Sequence, residues 1–445
     1  MQKTGQYDLL SLFNIYSLYV SVYGQLLPPS GQKKISLCFF FRNRVLQSVT
    51  TMIYNVPTGE DMMPDWNKIR KDFPITKKSV YFQSAAMSPI PSPVLTAIVK
   101  NYKKIHEQGD VLWTKDLAKY RKLCGDIASL INTEADNICF VQNTSTAMSL
   151  LAHSIKNMRE MPYNVVSTED EFPASTIGFE YLEIPMRYVP PRNFRYSIDS
   201  FLERVDEQTV AVVTSYVQYA TGFRQDLHTL GKALHDRGIL FIVNTTQGFP
   251  FYPLDIQAMH IAALTCSLHK WGMTGHIGSI FCTTPEFRKN FPAPWIGWLS
   301  VDAGKAFIHT AKNVPFHVYD SARRYEFGTQ NLQTILAFQE ALDYLKAIGF
   351  EYIRNRMLEL TDHLILGLKE LGVKIVSPID KPEERSPIVS FSLGDRNKEC
   401  IERLTQESIS VSPRAGYIRV SVNIFNNTED IDKLLSVLRS MISDK

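Results

Sequence analysis

The residues best suited to chemistry lie in 265–279, TCSLHKWGMTGHIGS. Four apolar residues of strand type, 261–264, run into small polar residues, then the pair His269-Lys270, then a turn punctuated by glycines. Lysine is almost never buried unpaired. Desolvation lowers its pKa and makes the neutral amine accessible. A lysine held where a buried strand ends, beside Trp271, can therefore act as an amine nucleophile that forms a Schiff base with a carbonyl. The plain alternative is a surface lysine at a strand end, and the other segments decide between them.

Asn143-Thr144-Ser145-Thr146 precedes a helical stretch. It offers free backbone N–H groups, hydroxyls and the positive end of a helix dipole, which suits a phosphate, although a simple helix cap uses the same residues. Ser267 and His269 would add donors to that phosphate. Glu171-Phe172-Pro173 follows a strand, so Phe172 could lie flat on an aromatic ring, or simply pack in the core. The run 243–247, VNTTQ, ends another strand and sets Asn244 and Gln247 at the mouth of a sheet. At successive strand ends these segments supply a phosphate cradle, a ring stack, polar ring contacts and an amine.

The elements that must position them follow from the pattern. Strands are expected at 80–82, 138–141, 165–167, 210–214, 240–243 and 261–264. They alternate with helical stretches such as 65–72, 227–237, a helix from Val94 and one from Ala147. This is α/β order, a three-layer fold with a mostly parallel sheet covered on both faces. Ligands of such sheets lie at the carboxyl ends of the strands. After Ala322 a long helical region at 333–371 is followed by strands near 373–376, 388–392 and 417–422. A last helix follows at 429–441, capped by Asn427 and Thr428. That reads as a smaller α+β domain.

A chain of 445 residues exceeds one compact core and suggests two domains. Hydrophobic content of 44% and charged content of 21% are ordinary for a soluble globular protein. A net charge of +3 gives no reason to expect nucleic acid or an acidic membrane surface as partner. Six scattered cysteines without a CxxC signal neither a zinc site nor a disulfide framework, and a reducing, cytoplasmic setting follows. The first sixty residues differ from the rest. Residues 9–32 carry no charge, which would allow a membrane span or signal anchor, but Asn14, Gly24, Gln25 and several serines dilute the run. The reading preferred is an extension upstream of a start at Met52, Met62 or Met63. The expected division is 1–62 extension, 63–90 a segment packing on the small domain, 91–322 the large cofactor-binding domain and 323–445 the small domain.

Eight segments in order, among them YFQSAAMSPIP, QNTSTAMSLLA, EDEFPAS, VNTTQGFPFYPLDI, SLHKWGMTGHIGS and RAGYIRVSVNIFNNTEDID, give the chain a resemblance to a known family. It resembles the class V aminotransferases, pyridoxal-phosphate enzymes of fold type I that include cysteine desulfurases, selenocysteine lyases and isopenicillin N epimerase-like proteins. The resemblance implies a Lys270 Schiff base with pyridoxal 5'-phosphate and a phosphate held by Thr144, Ser145, Ser267 and His269. It implies Phe172 stacked on the ring, Gln247 on the ring's phenolic oxygen, and Arg419 on the substrate carboxylate. Thr329, in EFGTQN, would reach the phosphate of a neighbouring protomer, making a homodimer the active unit.

Two departures bear on activity. The family places an aspartate, which pairs with the protonated ring nitrogen, where this chain has Asn244; a neutral amide cannot hold that proton by charge. The nucleophilic cysteine of desulfurases is missing from 410–419, SVSPRAGYIR. Cys400, placed before a helical stretch, and Cys266 read as structural. Trp295 and Trp298, with Tyr216 and Tyr219, could wall the site and would then suit an apolar or extended substrate. The expected function is aminotransferase-type chemistry on an α-amino acid. An epimerase or a cysteine/selenocysteine lyase-type enzyme is the alternative within the family, and a non-catalytic regulatory protein the alternative outside it.

Overall fold

The computed structural model describes residues 63–443, apart from 110, 112, 159–161 and 303–314. The expectations for residues 1–62 lie outside that range. The described chain opens with the helix Trp66–Lys71, where the Asp65 carboxylate accepts the Lys68 N–H at 2.9 Å. Strand β1 (Val80–Tyr81) follows.

Short apolar runs rich in β-branched residues then form β2 (Ile138–Val141), β3 (Asn164–Thr168), β4 (Met186–Val189) and β5 (Thr209–Ser215). β6 (Leu240–Asn244), β7 (Ala263–Ser267) and β8 (Ser279–Thr283) complete the set. They make a seven-stranded sheet in the order β2-β8-β7-β6-β5-β3-β4. β8 is antiparallel to both its neighbours, and the other pairings are parallel. Alternation divides the strand residues between two cores. Val166, Val212, Phe241, Val243 and Leu264 join one apolar cluster with Leu230 and Leu234 of the helix Leu227–His235. Val165, Ala211, Val213, Ile242 and Ala263 join the other with Ala147, Leu150 and Leu151 of the helix Thr144–Met158. Helices on both faces explain why β2, β3, β7 and β8 are buried at every position.

β9 (Val301–Asp302) and β10 (His317–Val318) form an antiparallel pair. A second sheet collects β11 (Lys374–Ile375), β12 (Ile388–Ser392), β14 (Ser412–Arg414) and β15 (Tyr417–Ser421) in the antiparallel order β11-β12-β15-β14. β13 (Ile409–Ser410) pairs in parallel with β1, and Arg70 pairs with Asp430 at 2.7 Å.

Several boundaries differ from the sequence expectation. The strand expected at 261–264 begins at Ala263 and continues through Ser267, which brings Ser267 into the sheet. The helix expected from Ala147 starts at Thr144, because the Asn143 carboxamide accepts the Thr146 N–H at 2.9 Å. The helix expected from Val94 starts at Ser92, after Pro91. The helical region at 333–371 is three helices, Leu332–Ile335, Ala337–Ile348 and Phe350–Glu370; Gly349, at φ +93°, separates the last two. Cys400 lies within the helix Asn397–Gln406 and is buried, rather than preceding it. No helix among the described residues is long and apolar enough to cross a membrane.

Candidate active site

Because β2, β3, β5, β6 and β7 point the same way, the residues after their ends meet at one edge of the sheet. A cavity of about 190 Å³ opens there, lined by Thr144, Phe172, Tyr219, Asn244, Gln247 and Lys270 among others. Lys270 is 8% exposed. Burial, followed by the Arg419 charge, pushes its ammonium down to about 7, so much of the amine is unprotonated at neutral pH. Its Nζ lies 5.0 Å from the centre of the Phe172 ring. His269 also lines the cavity; burial, then Lys270 and His276, push its imidazole down to about 4, leaving it neutral.

Three hydroxyls gather at the start of the helix Thr144–Met158. Thr144 Oγ1 lies 2.7 Å from Ser267 Oγ, which lies 3.0 Å from Ser279 Oγ. Thr144 and Ser267 line the cavity with His269, and with the helix N-terminus they suit a phosphate, while Ser279 is buried behind Ser267. Ser145 is exposed on the helix surface and does not line the cavity.

Asn244 is fixed on both sides. Its Oδ1 accepts the Thr246 N–H at 3.1 Å and its Nδ2 donates to Ser175 Oγ at 3.0 Å. Behind them lies Glu171, fully desolvated and accepting from the Ser215 N–H at 2.7 Å, the Ser215 hydroxyl and the Phe172 N–H at 2.8 Å. Burial raises its pKa against those hydrogen bonds. Gln247 donates to the Ala85 carbonyl at 2.9 Å and accepts from Trp271 Nε1 at 2.7 Å, which leaves one amide N–H uncommitted.

Arg419 stands in the middle of β15 and is 1% exposed. Nη1 donates to the Tyr219 carbonyl at 2.7 Å, while Nε and Nη2 have no partner. Buried, unsatisfied guanidinium donors are costly. A carboxylate that enters the cavity satisfies both at once through the planar fork.

Other expectations fall elsewhere. Trp295 and Trp298 are exposed and do not line the cavity; Trp295 packs edge-on to His153 at 5.1 Å, beside Phe327. Tyr216 is buried against Tyr252 with its hydroxyl on the Pro253 carbonyl. Of the four aromatics, Tyr219 alone reaches the cavity, edge-on to Phe172 at 5.2 Å. Thr329 lies in a separate groove with Gly328, Gln330 and Trp295. β14 and β15 are joined by Ala415-Gly416, both at positive φ, a two-residue hairpin with no room for a reactive loop. No cysteine among the described residues lines the cavity, and burial raises the thiols of Cys266 and Cys400 to about 12. Thr246, Ser279 and Arg414 were not singled out by sequence, although VNTTQG, SLHKWGMTGHIGS and RAGYIR contain them.

With fold and cavity in view, the comparisons with known proteins agree. The family model for aminotransferase class-V matches residues 80–434. The chain belongs to that family and is one of its enzymes. A probable cysteine desulfurase of Pyrococcus abyssi is 24% identical over 84% of this chain and 97% of its own. An uncharacterized aminotransferase of Schizosaccharomyces pombe is 27% identical over 84% and 96%. Among solved structures, the apo cysteine desulfurase of Thermococcus onnurineus superposes with a TM-score of 0.78 at 21% identity, covering 87% of this chain and all of that one. A cystine C-S lyase in complex with its product, cysteine persulfide, gives 0.74 at 19% identity, covering 82% and 98%. The fold is that of the type I pyridoxal-phosphate enzymes.

Proposed function

We propose that the protein is a pyridoxal-phosphate enzyme acting on an α-amino acid at the Lys270 cavity, with aminotransferase-type chemistry. The observation that carries this reading is a buried lysine whose amine is held near neutrality beside an aromatic face and a hydroxyl cradle. The residues present fit the cofactor. Lys270 would hold its aldehyde carbon, Thr144, Ser267 and His269 its phosphate, Phe172 its ring face, and Gln247 its phenolic oxygen. Bound there, the cofactor supplies an aldehyde that condenses with amines and a ring that withdraws electrons from the substrate's α-carbon.

The chain's own groups do the rest. Arg419 binds the substrate carboxylate and orients the α-carbon. The amine of Lys270, brought into balance with its protonated form near neutral pH, takes and returns the α-proton. Phe172 and Tyr219 keep water from that position. Asn244 presents an amide to the ring nitrogen in place of a charge, which favours slow rather than rapid proton abstraction.

A lyase of the type seen in the similar cystine C-S lyase is the second reading. What favours it is the hairpin 414–417, which leaves no loop for a persulfide-carrying cysteine beside Lys270. A homodimer is inferred from Thr329, which fits the family role only by reaching another copy's phosphate. The strand pair β1-β13 and the Arg70–Asp430 bridge support 63–90 as a segment on a small domain 323–445, with 91–322 as the large domain. Unpaired cysteines at all five described positions support a cytoplasmic setting. The deciding experiment supplies the purified, cofactor-loaded protein with a panel of amino acids. Keto-acid release dependent on an acceptor marks transamination, loss of optical activity marks epimerisation, and pyruvate without an acceptor marks elimination. No change with any amino acid would reject the enzyme reading.

A further inference from the structure

The cavity holds a second guanidinium. Arg414 ends β14 and lines the same cavity as Arg419. The register sets Ser412 opposite Arg419 and Arg414 opposite Tyr417, so the two arginines are diagonal neighbours on one face of the sheet, ~7–8 Å apart at Cα. Arg414 is half-buried, and its hydrogen bond is to the carbonyl of its own neighbour, Pro413, at 2.7 Å. No carboxylate pairs with either arginine among the described residues, and no acidic side chain lines the cavity. Like charges at this spacing repel across the strands. The charge of Arg414 pushes the Arg419 guanidinium further down after burial has done so, to about 9.

One substrate carboxylate satisfies the free donors of Arg419 but leaves Arg414 uncompensated at the cavity wall. We propose that Arg414 is a specificity residue for an α-amino acid whose side chain ends in a second anionic group. The α-carboxylate would sit on Arg419 and the distal carboxylate or sulfonate on Arg414. The apolar or extended substrate expected from Trp295, Trp298, Tyr216 and Tyr219 keeps only Tyr219 in its support, since the other three do not line the cavity. The proposal rests on the reading of the Lys270 cavity as an amino-acid site.

The test is calorimetric titration of the cofactor-loaded protein with unreactive acids. Succinate and butyrate share a four-carbon chain and differ by one carboxylate; 3-sulfopropionate replaces one carboxylate of succinate with a sulfonate. Succinate is expected to bind ~10-fold more tightly than butyrate, the scale of one added charge-assisted hydrogen bond. Arg414→Gln should erase that preference while leaving butyrate within ~2-fold, and Arg414→Lys should retain part of it. A sulfonate that outbinds succinate assigns the distal group to that class, and the reverse order assigns it to carboxylates. Equal binding of succinate and butyrate by the wild type, or a preference that survives Arg414→Gln, overturns the proposal. If neither acid binds, the proposal fails; if Lys270→Ala also takes up cofactor as the wild type does, the active-site reading fails with it.

Discussion

The Lys270 amine sits 5.0 Å above the centre of the Phe172 ring, so the reactive nitrogen and an aromatic face share one cavity. Phe172 follows β3 and Lys270 follows β7, strands separated in the sheet by β5 and β6. Phe172→Ala should remove the ring face without touching the amine. Cofactor retention on dialysis should then fall by ~10-fold, the scale of one aromatic stack, while borohydride still fixes the cofactor to the protein. Retention equal to the wild type would show that Phe172 only packs.

Cofactor capture should depend on pH through Lys270. The neutral amine is the nucleophile, and its pKa in the folded protein is about 7. The rate at which apoprotein takes up pyridoxal phosphate, followed by the visible band, should rise through about pH 7 and level off above it. A rise delayed to pH 10 would mean that the amine is solvated and unperturbed.

The same shift predicts a stability effect opposite in sense to that of a salt-bridged lysine. Between pH 7 and the lysine's ordinary 10.5 the unfolded chain binds a proton that the folded chain lacks, so burial of Lys270 makes apoprotein stability increase with pH across that window. Lys270→Met removes the cost. The variant apoprotein should melt above the wild type at pH 6–7, by at most ~5 kcal/mol for a shift of this size, and the gap should close toward pH 10. A variant that melts lower at pH 6 contradicts the buried-amine account.

Arg419→Gln should separate binding from folding. Loss of a charge-assisted fork of ~1.5–3 kcal/mol should raise KM by ~10- to 100-fold. The apoprotein should not be destabilised in proportion, because two unsatisfied donors leave with the guanidinium. A large fall in melting temperature with unchanged KM would make Arg419 purely structural.

Asn244→Asp tests the neutral ring partner. Turnover should rise, because a carboxylate can hold a proton on the ring nitrogen where the amide cannot. The apoprotein should also lose stability at neutral pH, since the new charge joins Glu171 around the Ser175 hydroxyl. Unchanged turnover would show that Asn244 does not limit the reaction.

Strand ends were the legible part of the site. Asn244 ends a short apolar strand and Lys270, Phe172 and Gln247 each follow one, and a parallel sheet brings such positions to one edge whatever lies between them. Arg419 was legible only through its motif, since its burial and missing partners depend on strands β12 and β14 on either side. The contact of Ser175 with Asn244 was not legible, because the two lie far apart in sequence, and those of Ser279 and Arg414 were not, because they depend on the pairing of β7 with β8 and of β14 with β15. Trp295 and Trp298 misled for the same physical reason: an aromatic cluster reads alike whether it walls a cavity or covers a groove. Helix starts moved by two or three residues where Asn143 and Pro91 set the first turn, which periodicity alone does not register.

The central claim is that Lys270 is the residue that binds the cofactor, and chemical trapping tests it most directly. Protein loaded with pyridoxal phosphate, reduced with borohydride and digested, should yield one pyridoxyl-labelled peptide, spanning 265–279 with the label on Lys270. A label on another lysine, or a protein that takes up no cofactor to trap, would contradict the account.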